Sequence, residues 1–225
     1  MQNFFFQRSL ILLLGMSILA FGVVLSIYSQ LGTSPISSVP YTFSYFIPMT
    51  VGTLTIIMHA IFILIQKALL GKDFKSIQWF QLLMGLLFGL LIDFMLYLTS
   101  SWVFGSYLIQ LSLSLASCVL TAIGVCLMVK ANLILLAGDG LYIAFVKRFG
   151  FELGNTKTVG DCILVSIAAI SSYIILEKIV GIREGTIITA LLVGTMIKFI
   201  KPYFDFIRFE KSEISNKALA DNIQK

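Results

Sequence analysis

The side chains able to do chemistry in this chain are few, and most stand inside long apolar runs. Its one histidine, His59, lies near the middle of such a run. Asp161 sits near the start of another, Asp93 toward the far end of a third and Lys198 near the end of a fourth. An ionisable group in hydrocarbon is costly unless it faces protein or water, so each marks a candidate site. A histidine and a carboxylate sharing a cavity can relay protons or hold a cation, which makes His59, Asp161 and Asp93 candidates for proton or ion coupling. Plainer roles compete with these. Asp93 and Lys198 are close enough to run ends to reach headgroups. Asp161 follows Asn155, Thr156 and Thr158 and can cap a helix from within. A lone histidine can simply hydrogen-bond between helices.

Two short motifs interrupt the apolar pattern. The first is Leu31-Gly32-Thr33-Ser34-Pro35, where Ser34 has helix-capping chemistry and Pro35 suits a first helical turn. The second is Ala137-Gly138-Asp139-Gly140-Leu141, where Asp139 is the candidate cap and the glycines allow close backbone approach. Free amide groups at such helix starts favour a polar or anionic ligand. Thr33, Ser34, Gly138, Asp139, Gly140 and His59 are therefore the candidate substrate-binding residues. Catalysis is not expected. There is no phosphate-binding glycine loop, no HExxH and no GxSxG, and Cys118, Cys126 and Cys162 have no metal-ligand spacing. No metal and no cofactor is called for, and the expectation is that the protein is not an enzyme.

The elements that must carry these residues follow from composition. The 225-residue chain is 58% hydrophobic and 12% charged, with a mean hydropathy of +0.98. Soluble domains carry about 25% charged residues, so the solvent that accepts this surface is the bilayer. Six continuous apolar segments reach the length needed to cross, at about 9–29, 50–70, 77–99, 107–130, 157–179 and 184–201. Continuous runs indicate helices, not barrel strands. The first run is longer than a cleaved signal core and lacks a small-residue cleavage site. Residues 35–48 and 138–149 are too short to cross. With six crossings and the N-terminus inside, only Lys178 and Arg183 of the 16 basic residues lie outside. If both short stretches crossed, six would. The basic bias therefore selects six crossings with both termini cytoplasmic, and accounts for the net charge of +5 without nucleic acid as a partner. Trp79 and Trp102 sit at the ends of the third span, where indole rings favour the interface. Residues 1–203 form the transmembrane domain and 204–225 read as a cytoplasmic tail.

The two halves echo each other. Phe21-Gly22-Val23 matches Ile123-Gly124-Val125 at a spacing of 102, as do Gln30-Leu31 with Asn132-Leu133 and Val51-Gly52-Thr53 with Leu153-Gly154-Asn155. Phe88-Gly89 matches Val193-Gly194 at 105. About three residues are thus inserted late in the second half. At the same spacing His59 pairs with Asp161, and at the larger one Asp93 pairs with Lys198. Each repeat, about 8–99 and 107–201, reads as span, short broken segment, span, span. Three crossings per repeat turn the second upside down, the arrangement of many secondary transporters. The short segments either re-enter from opposite faces to meet near the midplane, or lie flat as interfacial helices.

A chain of six spans with Leu31-Gly32-Thr33-Ser34-Pro35 after the first, and Gly138-Asp139-Gly140-Leu141 after the fourth, resembles the YczE/YyaS/YitT family of bacterial membrane proteins, nearest its YczE-like branch. Ile36-Ser37 stands where that branch often has Trp-Asp. The resemblance covers about residues 8–203 and implies a bacterial inner-membrane location. The leading functional expectation is a permease for a small polar or anionic solute, with the site between the repeats. The alternatives are an accessory protein that scaffolds or activates a partner enzyme, such as one of secondary-metabolite biosynthesis, and a binding subunit of a separately energised complex. Expected partners are lipid, a small solute, and a second copy or another membrane protein.

Overall fold

A computed structural model describes residues 2–204, with side chains from Phe5 onward. The expected tail, from residue 205 on, lies outside the described residues. All regular structure among them is helical. The elements are α1 (Gln2–Ser29), α2 (Pro35–Phe43), α3 (Val51–Leu70), α4 (Phe80–Leu98), α5 (Tyr107–Ala131), α6 (Ala137–Phe149), α7 (Leu153–Leu176) and α8 (Glu184–Ile200), with short 3-10 turns beside α4 and after α8. By length and composition six of these can cross a membrane, the signature of a multi-pass membrane protein.

Two expected boundaries shift. The apolar run predicts a fifth span from 157, but α7 starts at Leu153 with Glu152 as its capping residue. The polar stretch Asn155 to Thr158 looks like loop, yet its hydroxyls are satisfied inside the helix. Thr156 Oγ1 donates to the Glu152 carbonyl (2.8 Å) and Thr158 Oγ1 to that of Gly154 (3.0 Å). Asp161 is consequently two turns into α7 and does not cap it. Asp139 does not cap α6 either. Leu136 holds the capping position and Asp139 lies in the first turn.

Element starts and stops recur at one spacing. Ser29 and Ala131 end α1 and α5, Pro35 and Ala137 begin α2 and α6, and Val51 and Leu153 begin α3 and α7, each pair 102 apart. Gln30 (φ 55°) and Asn132 (φ 46°) both turn the chain out of a long helix through the left-handed region. The late insertion lies in α7, which has 24 residues against 20 in α3.

The end of the bundle where α1 begins is called proximal here, and the end where it finishes distal. The centre is the antiparallel crossing of α1 and α5. A Cβ on Gly22 would stand 2.9 Å from Thr121 Oγ1 and 3.2 Å from the Ser117 carbonyl. One on Gly124 would stand 2.8 Å from the Gly15 carbonyl and from Leu19. Only glycine permits these approaches, which let two backbones pack without a hydrophobic drive between helices. Around this pair α4 packs on α1 and α8 on α5, α6 on α3 and α2 on α7, and each short helix on the long helix that follows it. One pairing is unmatched: α3 packs extensively on α4, whereas α7 and α8 are not packed together.

Candidate functional site

The two short helices start against each other. The Ile36 side chain in the first turn of α2 fills the space a Gly138 side chain would need in the first turn of α6. The starts of α2 and α6 therefore touch through Ile36 and Gly138. Of the expected residues, Thr33, Ser34, Gly138 and Gly140 are brought to this region. Ser34 holds the capping position of α2, but its hydroxyl donates to Ser37 Oγ (3.1 Å) and makes no side-chain cap. Thr33 is fully buried and its Oγ1 has no partner among the described residues.

On the α6 side, a Cβ on Gly140 would lie 2.9 Å from Gln81 Nε2 and 3.0 Å from Gln66 Oε1. Gln66 is fully buried and donates from Nε2 to Gln81 Oε1 (3.0 Å) and to the Ala137 carbonyl (3.0 Å). Its Oε1 is unpartnered beside the start of α6. These two glutamines were not among the expected site residues. The signal was available, because an amide inside an apolar run is unusual for the same reason a histidine is.

His59 stands about two turns from Gln66 along the same face of α3. It is 3% exposed, with Nδ1 unpartnered. Its ring stacks on Phe88 (6.0 Å, 5° between planes) and Phe62 (6.4 Å), and lies against Gly85. The environment is apolar. Asp161 is elsewhere. It accepts a hydrogen bond from Tyr142 Oη (2.6 Å), across the α6–α7 contact where Gly160 makes room for the tyrosine ring. One turn nearer the start of α7, Lys157 Nζ lies 3.7 Å from Asp139 Oδ1, with both side chains about half exposed. His59 and Asp161, matched in sequence, thus have unrelated surroundings and share no hydrogen bond among the described residues. Asp93 is separate again, at the distal end. It accepts from Thr50 Oγ1 (2.5 Å) and the Gly52 amide (2.8 Å), so it caps α3 from a neighbouring helix.

The distal mouth is stitched closed by the loop between α7 and α8. Thr33 N donates to the Gly181 carbonyl (3.1 Å), Gly185 N to that of Leu31 (2.7 Å), Thr42 Oγ1 to that of Val180 (3.0 Å) and Arg183 Nη1 to that of Gln30 (3.2 Å). Gly32 takes φ 101° here, and a side chain on it would collide with Thr186. A cavity of about 200 Å³ remains beside this loop, lined by Gln30, Gly32, Tyr41, Tyr45, Gly181 and Arg183 among others. Its polar groups include Ser26, Gln30, the paired hydroxyls of Tyr41 and Tyr45 (2.7 Å) and the Arg183 guanidinium, itself bound to Glu184 (3.0 Å).

Residues 6–202 match one protein family over nearly the whole described chain. The chain belongs to DUF6198, a family of unknown function. Neither a curated protein nor a solved structure matches it. For this DUF6198 member, function has to be argued from the geometry above.

Proposed function

We propose that this DUF6198 protein is a permease for a small polar or anionic solute, working between two inverted three-helix repeats in a bacterial inner membrane with both termini cytoplasmic. The observation that supports the reading is the contact between the starts of the two short helices at Ile36 and Gly138, which we read as re-entrant. Unwound backbone inside a membrane is tolerated where it lines a substrate path, and paired broken helices are the recurrent form of such a path. The inverted relation is supported by reciprocal contacts. Gly22 meets Ser117 and Thr121, while Gly124 meets Gly15 and Leu19, the same neighbours displaced by 102. Gln66 and Gln81 stand at the start of α6 as Thr33 and Thr186 stand at the start of α2, each group with a buried oxygen that has no partner. These groups, with Ser34, Gly138 and Gly140, form the proposed solute site. His59, Asp161 and Asp93 sit apart from one another, so ion coupling falls to His59 alone in this reading. The YczE-like resemblance fits the same scheme through its two motifs.

Uptake of a broad panel of labelled metabolites into liposomes containing the purified protein tests the proposal. Flux of a polar or anionic compound that falls on replacing Gln66 supports it, and no flux for any compound overturns it. A non-transporting accessory role is favoured by one observation, the dry packing of His59 among Phe62, Phe88 and Gly85 with Ile36 closing the centre. Co-purification of a partner enzyme whose activity depends on this chain, without flux, is the outcome that role requires.

A further inference from the structure

The α3–α4 and α7–α8 pairs carry matching residues in opposite conditions. In the first pair Gly52 and Gly89 are buried against each other's carbonyls, and Ile56 packs on Gly89. Asp93 reaches across to Thr50 and to the Gly52 amide. The two spacings of the sequence repeat, 102 for α3 to α7 and 105 for α4 to α8, carry these contacts into the second half. Gly52 against Gly89 becomes Gly154 against Gly194, Ile56 becomes Thr158, and Thr50 against Asp93 becomes Glu152 against Lys198. Both crossing glycines are kept, and the latch becomes an acid facing a base.

None of these second-half contacts is made in the structure. No atom lies within 4 Å of a Cβ built on Gly194, and Gly154 meets only Glu152 Oε1 at 3.9 Å. Glu152, Gly154, Thr158, Gly194 and Lys198 are all exposed, and α7 and α8 are not packed together. Glu152 accepts from Asn155 within its own helix (3.0 Å), and Lys198 has no ion pair among the described residues. The two helices are tied only where they join, at the distal end, by Ser172 accepting from Val180 N (2.9 Å) and by the stitched loop. Toward the proximal end each packs on another helix, α8 on α5, where Cys126 Sγ lies 3.9 Å from the Ile197 carbonyl, and α7 on α6 through Tyr142 and Asp161.

We propose that the two seams alternate: α7 closes on α8 at the proximal end through Glu152, Lys198, Gly154 and Gly194, while α3 parts from α4 at the distal end as Asp93 releases Thr50 and Gly52. The structure is then the state with the distal seam shut and the proximal seam open. Half-exposed Asp139 and Lys157, beside the start of α6, stand on the open side. This inference rests on the inverted-repeat reading and gives it a mechanism of access. Like charges at 152 and 198 would hold the proximal seam open, and opposite charges in either order would let it close.

The test is a Thr158→Cys, Gly194→Cys pair in the full-length protein in membrane vesicles, with Cys118, Cys126 and Cys162 replaced by alanine or serine. Both new positions are exposed, so neither substitution disturbs packing. Mild oxidation is expected to form a disulfide within one chain. Adding Lys198→Glu should slow its formation about tenfold by setting two carboxylates face to face, and the swap Glu152→Lys with Lys198→Glu should restore it. Once the disulfide has formed, a cysteine at Ile56 should react several-fold faster with an impermeant maleimide from the distal side. No intrachain disulfide in any charge background overturns the proposal. So does a disulfide between two chains, which would make the seam a docking face for a second copy, or an unchanged reactivity at position 56. Labelling of the Lys67–Lys75 turn separates the premise from the inference. Reaction from outside the cell removes the inverted repeat altogether, whereas reaction from the cytoplasm with no proximal closure removes only the alternation.

Discussion

The two glycine-bearing seams show what a glycine does in a membrane helix and what it does not. Gly52 and Gly89 lie at a tight crossing, and Gly154 and Gly194 occupy equivalent places with empty space around them. A missing side chain permits close approach, but something else must hold the helices there. In the first seam that is Asp93, whose carboxylate satisfies the amide and hydroxyl at the start of α3. In the second, the matching groups are charged and apart. The burial of the spans follows the same division, falling from 56% of the α1 window to 11% for α7 and 6% for α8. Those last two helices therefore owe little of their position to packing, and the comparison can be broken by substitutions that weigh packing directly.

The largest contrast is expected from Gly89→Leu set against Gly194→Leu. A side chain at 89 must displace Ile56 and the Gly52 carbonyl, so the first variant should lose about 1–3 kcal/mol of stability. The second should stay within about 0.5 kcal/mol of the parent. Unfolding in mixed detergent micelles measures both, and equal losses would erase the distinction between the seams. Next is the latch. Asp93→Ala should cost about 1–2 kcal/mol by uncapping α3, while Lys198→Ala should cost close to nothing. Asp93→Asn, which keeps one acceptor, should fall between them in the same assay.

Tyr142→Phe removes the donor to a part-buried Asp161 Oδ1 and should cost about 1 kcal/mol, a loss the first half cannot match because Pro40 holds the position equivalent to Tyr142. The smallest effect is expected at His59. Its Nδ1 is unpartnered among aromatic rings, so His59→Leu removes an uncompensated polar atom and should leave stability unchanged or slightly raised. If His59 couples an ion, flux falls in that variant while stability does not, and a clear loss of stability would mean the ring makes a structural bond.

Much of this architecture was legible because the bilayer leaves a chain few choices. A crossing needs about 20 apolar residues, and that rule finds all six long helices. Leu31-Gly32-Thr33-Ser34-Pro35 and Ala137-Gly138-Asp139-Gly140 announce the short helices through turn and first-turn chemistry, although Leu136, with no side-chain donor or acceptor, takes the capping place that Asp139 seemed made for. The start of α7 was hidden by threonines whose hydroxyls fold back onto their own helix. What the sequence could not reveal is which residue faces which. Hydrophobic periodicity is weak in a helix that is apolar all round, so the meeting of Gln66 with Gln81, or of Asp93 with Gly52, has no local signature. The spacing that pairs His59 with Asp161 is silent about their surroundings.

The four residues by which α7 exceeds α3 add about one helical turn, roughly 6 Å of reach. Residues 177–183 lie against α2 and the segment between α1 and α2, where three hydrogen bonds, from Thr33 N, Thr42 Oγ1 and Arg183 Nη1, pin them. The corresponding turn after α3 has no comparable set among the described residues. Under the alternation proposed above, two identical halves would give two resting shapes related by a two-fold rotation and equal in energy. On that proposal the extra turn would remove the degeneracy, favouring the arrangement seen here, and a solute would have to bind the other arrangement more tightly to shift the balance.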